Sequence, residues 1–128
     1  MEIDLEERRR PRPEPRVGSN VLLVDLAKEA RALRVESSWE TLGKNAKTLI
    51  HHDDLRIVLV ALAKGAQLHE HSVTRSVSIE VLEGEIRVAV EGVSSPFVLG
   101  PRALLMLEGG KGHDVDALNE SVFLLTIA

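Results

Sequence analysis

Apolar residues follow two rhythms along this chain. Val21-Leu22-Leu23-Val24 reads as a short strand, and Asp25 as the N-cap of a helix over 26–33 in which Leu26, Ala30 and Leu33 fall at helical spacing. This is the one helix the pattern predicts. From Ala46 onward short β-rich runs alternate with turn signals, predicting strands near 46–52, 55–62, 66–71, 76–82, 85–90, 95–99, 103–107, 113–117 and 121–127. The dividers are Asp53-Asp54, Lys64-Gly65, Glu83-Gly84, Glu91-Gly92, Gly100-Pro101, the glycine-rich 108–112 and Asn119-Glu120, several of them suited to tight hairpins. So many short strands beside one helix leave many unpaired edges, which closure into a barrel or double-sheet jelly roll removes. The predicted fold is all-β, with a solvated tail over 1–18, a strand and helix arm over 19–45, and a barrel over 46–128.

Composition narrows the partners. A formal net charge of -4 and 2% aromatic residues argue against a phosphate-tracking or base-stacking nucleic-acid binder. The basic run Arg8-Arg9-Arg10 is flanked by Glu6, Glu7 and Glu14 and interleaved with prolines, the composition of an extended, solvated segment. With no cysteine there is neither a disulfide framework nor a thiolate metal site. A charged N-terminus and the lack of a long apolar run give the expectation of a cytoplasmic protein with no membrane partner.

Two segments carry a family signature. Gly65-Ala66-Gln67-Leu68-His69-Glu70-His71, followed by Val81-Leu82-Glu83-Gly84-Glu85, resembles the first cupin motif, G-x5-H-x-H-x3-E-x6-G. Leu99-Gly100-Pro101-Arg102, running on to His113, resembles the second, G-x5-P-x-G-x2-H-x3-N. The resemblance covers roughly 46–127. It implies a small single-domain cupin of the RmlC-like superfamily, a double-stranded β-helix, and many such proteins are homodimers.

Register then matters. Counted without a gap, Gly65 and Gly84 frame the first motif and His71 takes its first histidine, while Val73 and Val77 stand where the second histidine and the glutamate belong. In the second motif His113 matches the histidine and Gly110 its preceding glycine, whereas Arg102, Glu108 and Ala117 replace a glycine, the proline and the asparagine. The implied ligand pocket therefore contains His71, His113, Val73, Val77 and Ile79.

Strand alternation places His69, His71 and Val73 on one face, which the family register turns inward. Three imidazoles, His69, His71 and His113, would then meet around one divalent transition metal (Zn, Fe, Ni, Cu or Mn), leaving open positions for chemistry. The competing expectation is that Val73 and Val77 make this side apolar and leave His71 and His113 as hydrogen-bonding residues. His51-His52-Asp53-Asp54 reads as a surface turn, Trp39 as a packing anchor, and Glu70 and Glu80 as outward-facing by parity. Arg75 and Arg102 offer forked donors for an anion, or solvated loop positions. No serine-histidine-acid set and no phosphate loop preceding a helix is present. The functional expectation is a small-molecule-binding cupin, with a metal-dependent oxygenase or isomerase and a non-catalytic structural or sensory module as alternatives.

Overall fold

A computed structural model describes residues 21–70 and 74–128. Among the described residues two short helices, α1 (Leu26–Leu33) and α2 (Ser37–Leu42), precede nine strands. These are β1 (Lys44–His52), β2 (Leu55–Leu62), β3 (Gln67–Glu70), β4 (Val77–Glu83), β5 (Ile86–Val90), β6 (Phe97–Leu99), β7 (Leu104–Leu107), β8 (His113–Ala117) and β9 (Ser121–Ile127). They form a five-stranded sheet in the order β1-β2-β9-β4-β7 and a four-stranded sheet in the order β3-β8-β5-β6, with every ladder antiparallel. Each predicted strand after Ala46 has its counterpart, because strict alternation in β4, β5 and β8 marks one buried face.

The inner faces share one apolar cluster, with Leu68, Val88, Val90, Val115 and Ala117 from the smaller sheet and Val60, Val77, Ile79, Phe123 and Leu125 from the larger. A second cluster lies on the outside of the larger sheet. There Ala30 and Leu33 of α1 cover Leu49, Leu59, Ala61 and Val122, and Trp39 packs against them as an anchor.

Three features of the arm depart from the sequence reading. Residues 21–24 form no strand, and Val21 and Leu23 are exposed. Strand propensity is realised only against a partner ladder. The second helix, α2, has no side-chain cap at Glu36 and ends on Gly43 in the left-handed region. Of the link read as polar, 43–45, Lys44 and Asn45 open β1 and are buried. Lys44 donates from Nζ to the Gln67 carbonyl at 2.7 Å, joining the two sheets, and burial lowers its pKa. Asn45 donates from Nδ2 to the Leu33 carbonyl at 3.0 Å and to Glu36 Oε1 at 2.8 Å, while its Oδ1 accepts from the Ala46 amide. It thus ties the end of α1 to the first strand. Asn45→Ala would leave that carbonyl buried and unpaired, and is expected to cost about 1–3 kcal/mol by denaturant unfolding. At the other end of α1, Asp25 caps as predicted, accepting from the Lys28 amide at 3.1 Å.

The segment 1–18, read as a tail, lies outside the described residues. Among the described residues no helix is long and apolar enough to cross a membrane.

Candidate functional site

Among the described residues of the smaller sheet, the buried polar side chain is on β8. Its sequence His113-Asp114-Val115-Asp116-Ala117 alternates, so that His113, Val115 and Ala117 are buried while the two aspartates face out. His113 stands level with Val90 of β5 and with Glu70 of β3. It is 3% exposed, and neither ring nitrogen has a hydrogen-bond partner among the described residues. An imidazole so placed is stripped of solvent, and among the described residues no polar group replaces it, a cost that native cores normally avoid. Loss of solvent accordingly lowers its pKa. Asp114 and the backbone of Lys111 oppose that shift without a well-formed hydrogen bond to the ring, and nearby His69 adds to it. His113 is therefore neutral at pH 7, with one nitrogen a donor and the other an acceptor.

The described inward side chains of the barrel core are apolar. Val77 and Ile79, the pocket residues read from β4, are both buried and inward, in the same cluster as Val88, Val90, Leu107 and Val115. The loop carrying the chain into β8 is set by close approach. A Cβ on Gly109 would lie 2.1 Å from the Thr74 carbonyl oxygen, so only glycine lets 108–112 settle against the backbone of 74–75. That packing holds the approach to His113 beside Arg75.

His69 is placed differently from the sequence reading. On β3 the buried residue is Leu68, and His69 lies on the outer face, half exposed, where its Nδ1 pairs with the Asp114 carboxylate on β8. It does not share the barrel interior with His113. The parity was legible in Ala66 and Leu68, the apolar alternates of this strand, both of which pack into the core. His71 and Val73 lie outside the described residues, as does the side chain of Glu70.

The remaining candidates follow their neighbours. His51, His52, Asp53 and Asp54 are exposed at the β1–β2 turn. Glu80 faces outward between the buried Ile79 and Val81. Arg75 is half-buried, and Arg102 is exposed in the turn between β6 and β7. Among the described residues no group of three or more histidine, aspartate or glutamate side chains converges as a metal centre would require.

No protein-family model matches the sequence, and no curated protein matches it. Solved structures do. A conserved protein of unknown function from Streptococcus pyogenes superposes with a TM-score of 0.67 at 19% identity, covering 86% of this chain and 89% of that one. An RmlC-like cupin protein from Desulfovibrio desulfuricans gives 0.61 at 25% identity over 66% of this chain and 81% of its own. An RmlC-like cupin with a double-stranded β-helix fold, from Methanocaldococcus jannaschii, gives 0.61 at 17% identity over 73% and 86%.

Proposed function

For a chain with the fold of the RmlC-like cupins, we propose that the protein binds an uncharged, largely apolar small molecule inside the barrel, with His113 as its polar anchor. The observation that carries this reading is the buried imidazole of His113, unpartnered among the described residues, in a barrel whose inner faces carry valine, leucine and isoleucine side chains. Ligand sites are mostly apolar, with a few polar groups that fix orientation. A neutral imidazole can donate to a carbonyl or accept from a hydroxyl, which recovers the hydrogen bonds its burial has cost.

A metal fits the described donors poorly. One imidazole faces the interior, Val77 occupies the register position of an acid, and His69 is engaged outside with Asp114. No step is therefore assigned to a metal ion.

Phenol and benzene separate a hydrogen-bonding anchor from simple apolar filling. Saturable binding of phenol should move the His113 ring-nitrogen resonances, benzene should leave them in place, and His113→Leu should abolish the phenol response. Metal analysis of protein purified without added metal, repeated on His71→Ala and His113→Ala, tests the competing reading. Stoichiometric metal lost in both variants would replace the anchor with a metal ligand.

A further inference from the structure

Of the described lysines only Lys44 is buried, 5% exposed at the start of β1. Alternation decides which way it faces. Its cross-strand partner is Leu62, and two residues on Ala46 pairs with Val60, all three of them members of the core between the sheets. The intervening Asn45 pairs with Ala61 of the outer cluster and reaches the end of α1. Lys44 therefore stands on the barrel side of the larger sheet, and its Nζ crosses to the Gln67 carbonyl of the smaller sheet at 2.7 Å.

An amine in this position differs chemically from those on the surface. Apolar surroundings penalise the ammonium form, and burial holds the Lys44 pKa below the ordinary value of 10.5. At neutral pH a larger share of it is the nucleophilic amine than of the exposed Lys28, Lys64 and Lys111. The contact with Gln67 suits that form. A neutral amine can give one N–H to a carbonyl and still present its lone pair, which an ammonium lacks.

The site lies at the rim of the barrel. Leu62 ends β2, and the turn after it carries the exposed Lys64 and Gly65, the latter with nothing among the described residues within 4 Å of an added Cβ. His113 is level with Glu70, three residues beyond Gln67 on β3 and about 10 Å further along the strand. The two buried polar groups thus occupy different ends of the fold.

We propose that Lys44 is a covalent amine site at this rim, forming a reversible imine with a small, uncharged aldehyde. The Nζ lone pair attacks the carbonyl carbon, and the carbonyl oxygen gains a proton as the nitrogen gives one up, which yields a carbinolamine. That hydroxyl then leaves as water with the second amine proton, and a C=N bond remains. Neither net charge nor oxidation state changes. The neutral imine has no N–H for the Gln67 carbonyl, a loss that keeps the adduct reversible. An aldehyde bearing a carboxylate is disfavoured, because that charge would have to leave water for apolar side chains.

Reductive trapping of the full chain with acetaldehyde and cyanoborohydride, read by peptide mass spectrometry, tests this. At pH 7 Lys44 should be ethylated about tenfold faster than Lys28, Lys64 or Lys111, and the advantage should shrink at alkaline pH, where exposed amines also lose their proton. In denaturant the four lysines should react alike. His113→Leu should leave the Lys44 rate unchanged, which separates this site from the pocket anchored by His113. Lys44→Met should remove that one adduct and leave the other peptides labelled as before. Glyoxylate, which carries a carboxylate, should show a smaller preference for Lys44 over the exposed lysines than acetaldehyde does. If Lys44 stays unmodified in the folded chain while the exposed lysines react, or reacts no faster than they do, the proposal fails and Lys44 is only a tie between the sheets. An equal preference with glyoxylate would overturn the choice of an uncharged partner.

Discussion

Gly84→Ala is expected to destabilise the protein by about 3 kcal/mol or more, lowering the thermal midpoint by roughly 10 °C or beyond. Two costs combine at this position. Gly84 turns the chain from β4 into β5 at φ 83°, a conformation that costs an L-alanine about 1 kcal/mol. A Cβ there would also sit 2.2 Å from the Glu120 carbonyl oxygen and 2.3 Å from Ser121 Oγ. Neither atom is free to retreat. Ser121 is fully buried, and its hydroxyl accepts from the Glu85 amide at 3.0 Å while lying within hydrogen-bonding distance of the Glu85 and Asn119 carbonyls, at 3.1 and 2.7 Å. The turn into β5 and the start of β9 are therefore one hydrogen-bonded unit. Gly65→Ala is the matched control, since Gly65 has φ 85° and nothing within 4 Å of an added Cβ. Denaturant unfolding of the two variants separates backbone conformation from collision. Equal losses would mean that the approach of Ser121 is unimportant.

The same comparison explains which parts of the fold the sequence exposes. The glycine that closes the first cupin-like motif is required twice over, by its φ and by its neighbour, so a short signature there reports real geometry. In the second motif Arg102 stands on a glycine position and still adopts a positive φ. The turn forms there without the residue that makes it easy. Strands were legible because β4, β5 and β8 each bury one face and expose the other. Elements depending on distant partners were not. The segment 21–24 has strand-like residues but no ladder to join, and α2 joins serine and threonine to a single tryptophan with no capping side chain. Asn45 reads locally as a turn residue, and its burial follows from a helix end twelve residues earlier in the chain.

The candidate site divides in the same way. His113 is read into the pocket from its match to the second motif, and the alternation of aspartate with small apolar residues along its strand is what buries it. For His69, the motif spacing competed with local parity, and parity prevailed: one buried leucine, Leu68, fixes the face of a four-residue strand. The cross-strand carboxylate of Asp114 then gives the displaced imidazole a partner in solvent. That pairing belongs to the folded register of β3 on β8, which no local pattern around residue 69 reveals.

Replacing His113 by leucine is expected to raise stability at pH 7 by about 1–2 kcal/mol while removing ligand recognition, because an apolar side chain of similar size relieves two unsatisfied buried nitrogens. Its pH dependence is the sharper result. Burial holds the folded pKa of His113 below the ordinary value of 6.5, so below about pH 6.5 the unfolded chain binds a proton that the folded one refuses. Folded protein thus loses stability as the pH falls from there toward the folded pKa, at about 1.4 kcal/mol per pH unit from this one group, and the contribution is flat above pH 7. The two proteins share every other ionisable group. The difference between the wild-type and His113→Leu stability curves therefore isolates the buried ring. Unfolding free energies measured from pH 7.5 to 5 should diverge as the pH falls, the variant having the shallower acid limb. Parallel curves would mean that His113 accepts its proton as readily inside the barrel as outside, and a ring that does so has water or a carboxylate beside it and needs no ligand to complete its hydrogen bonds.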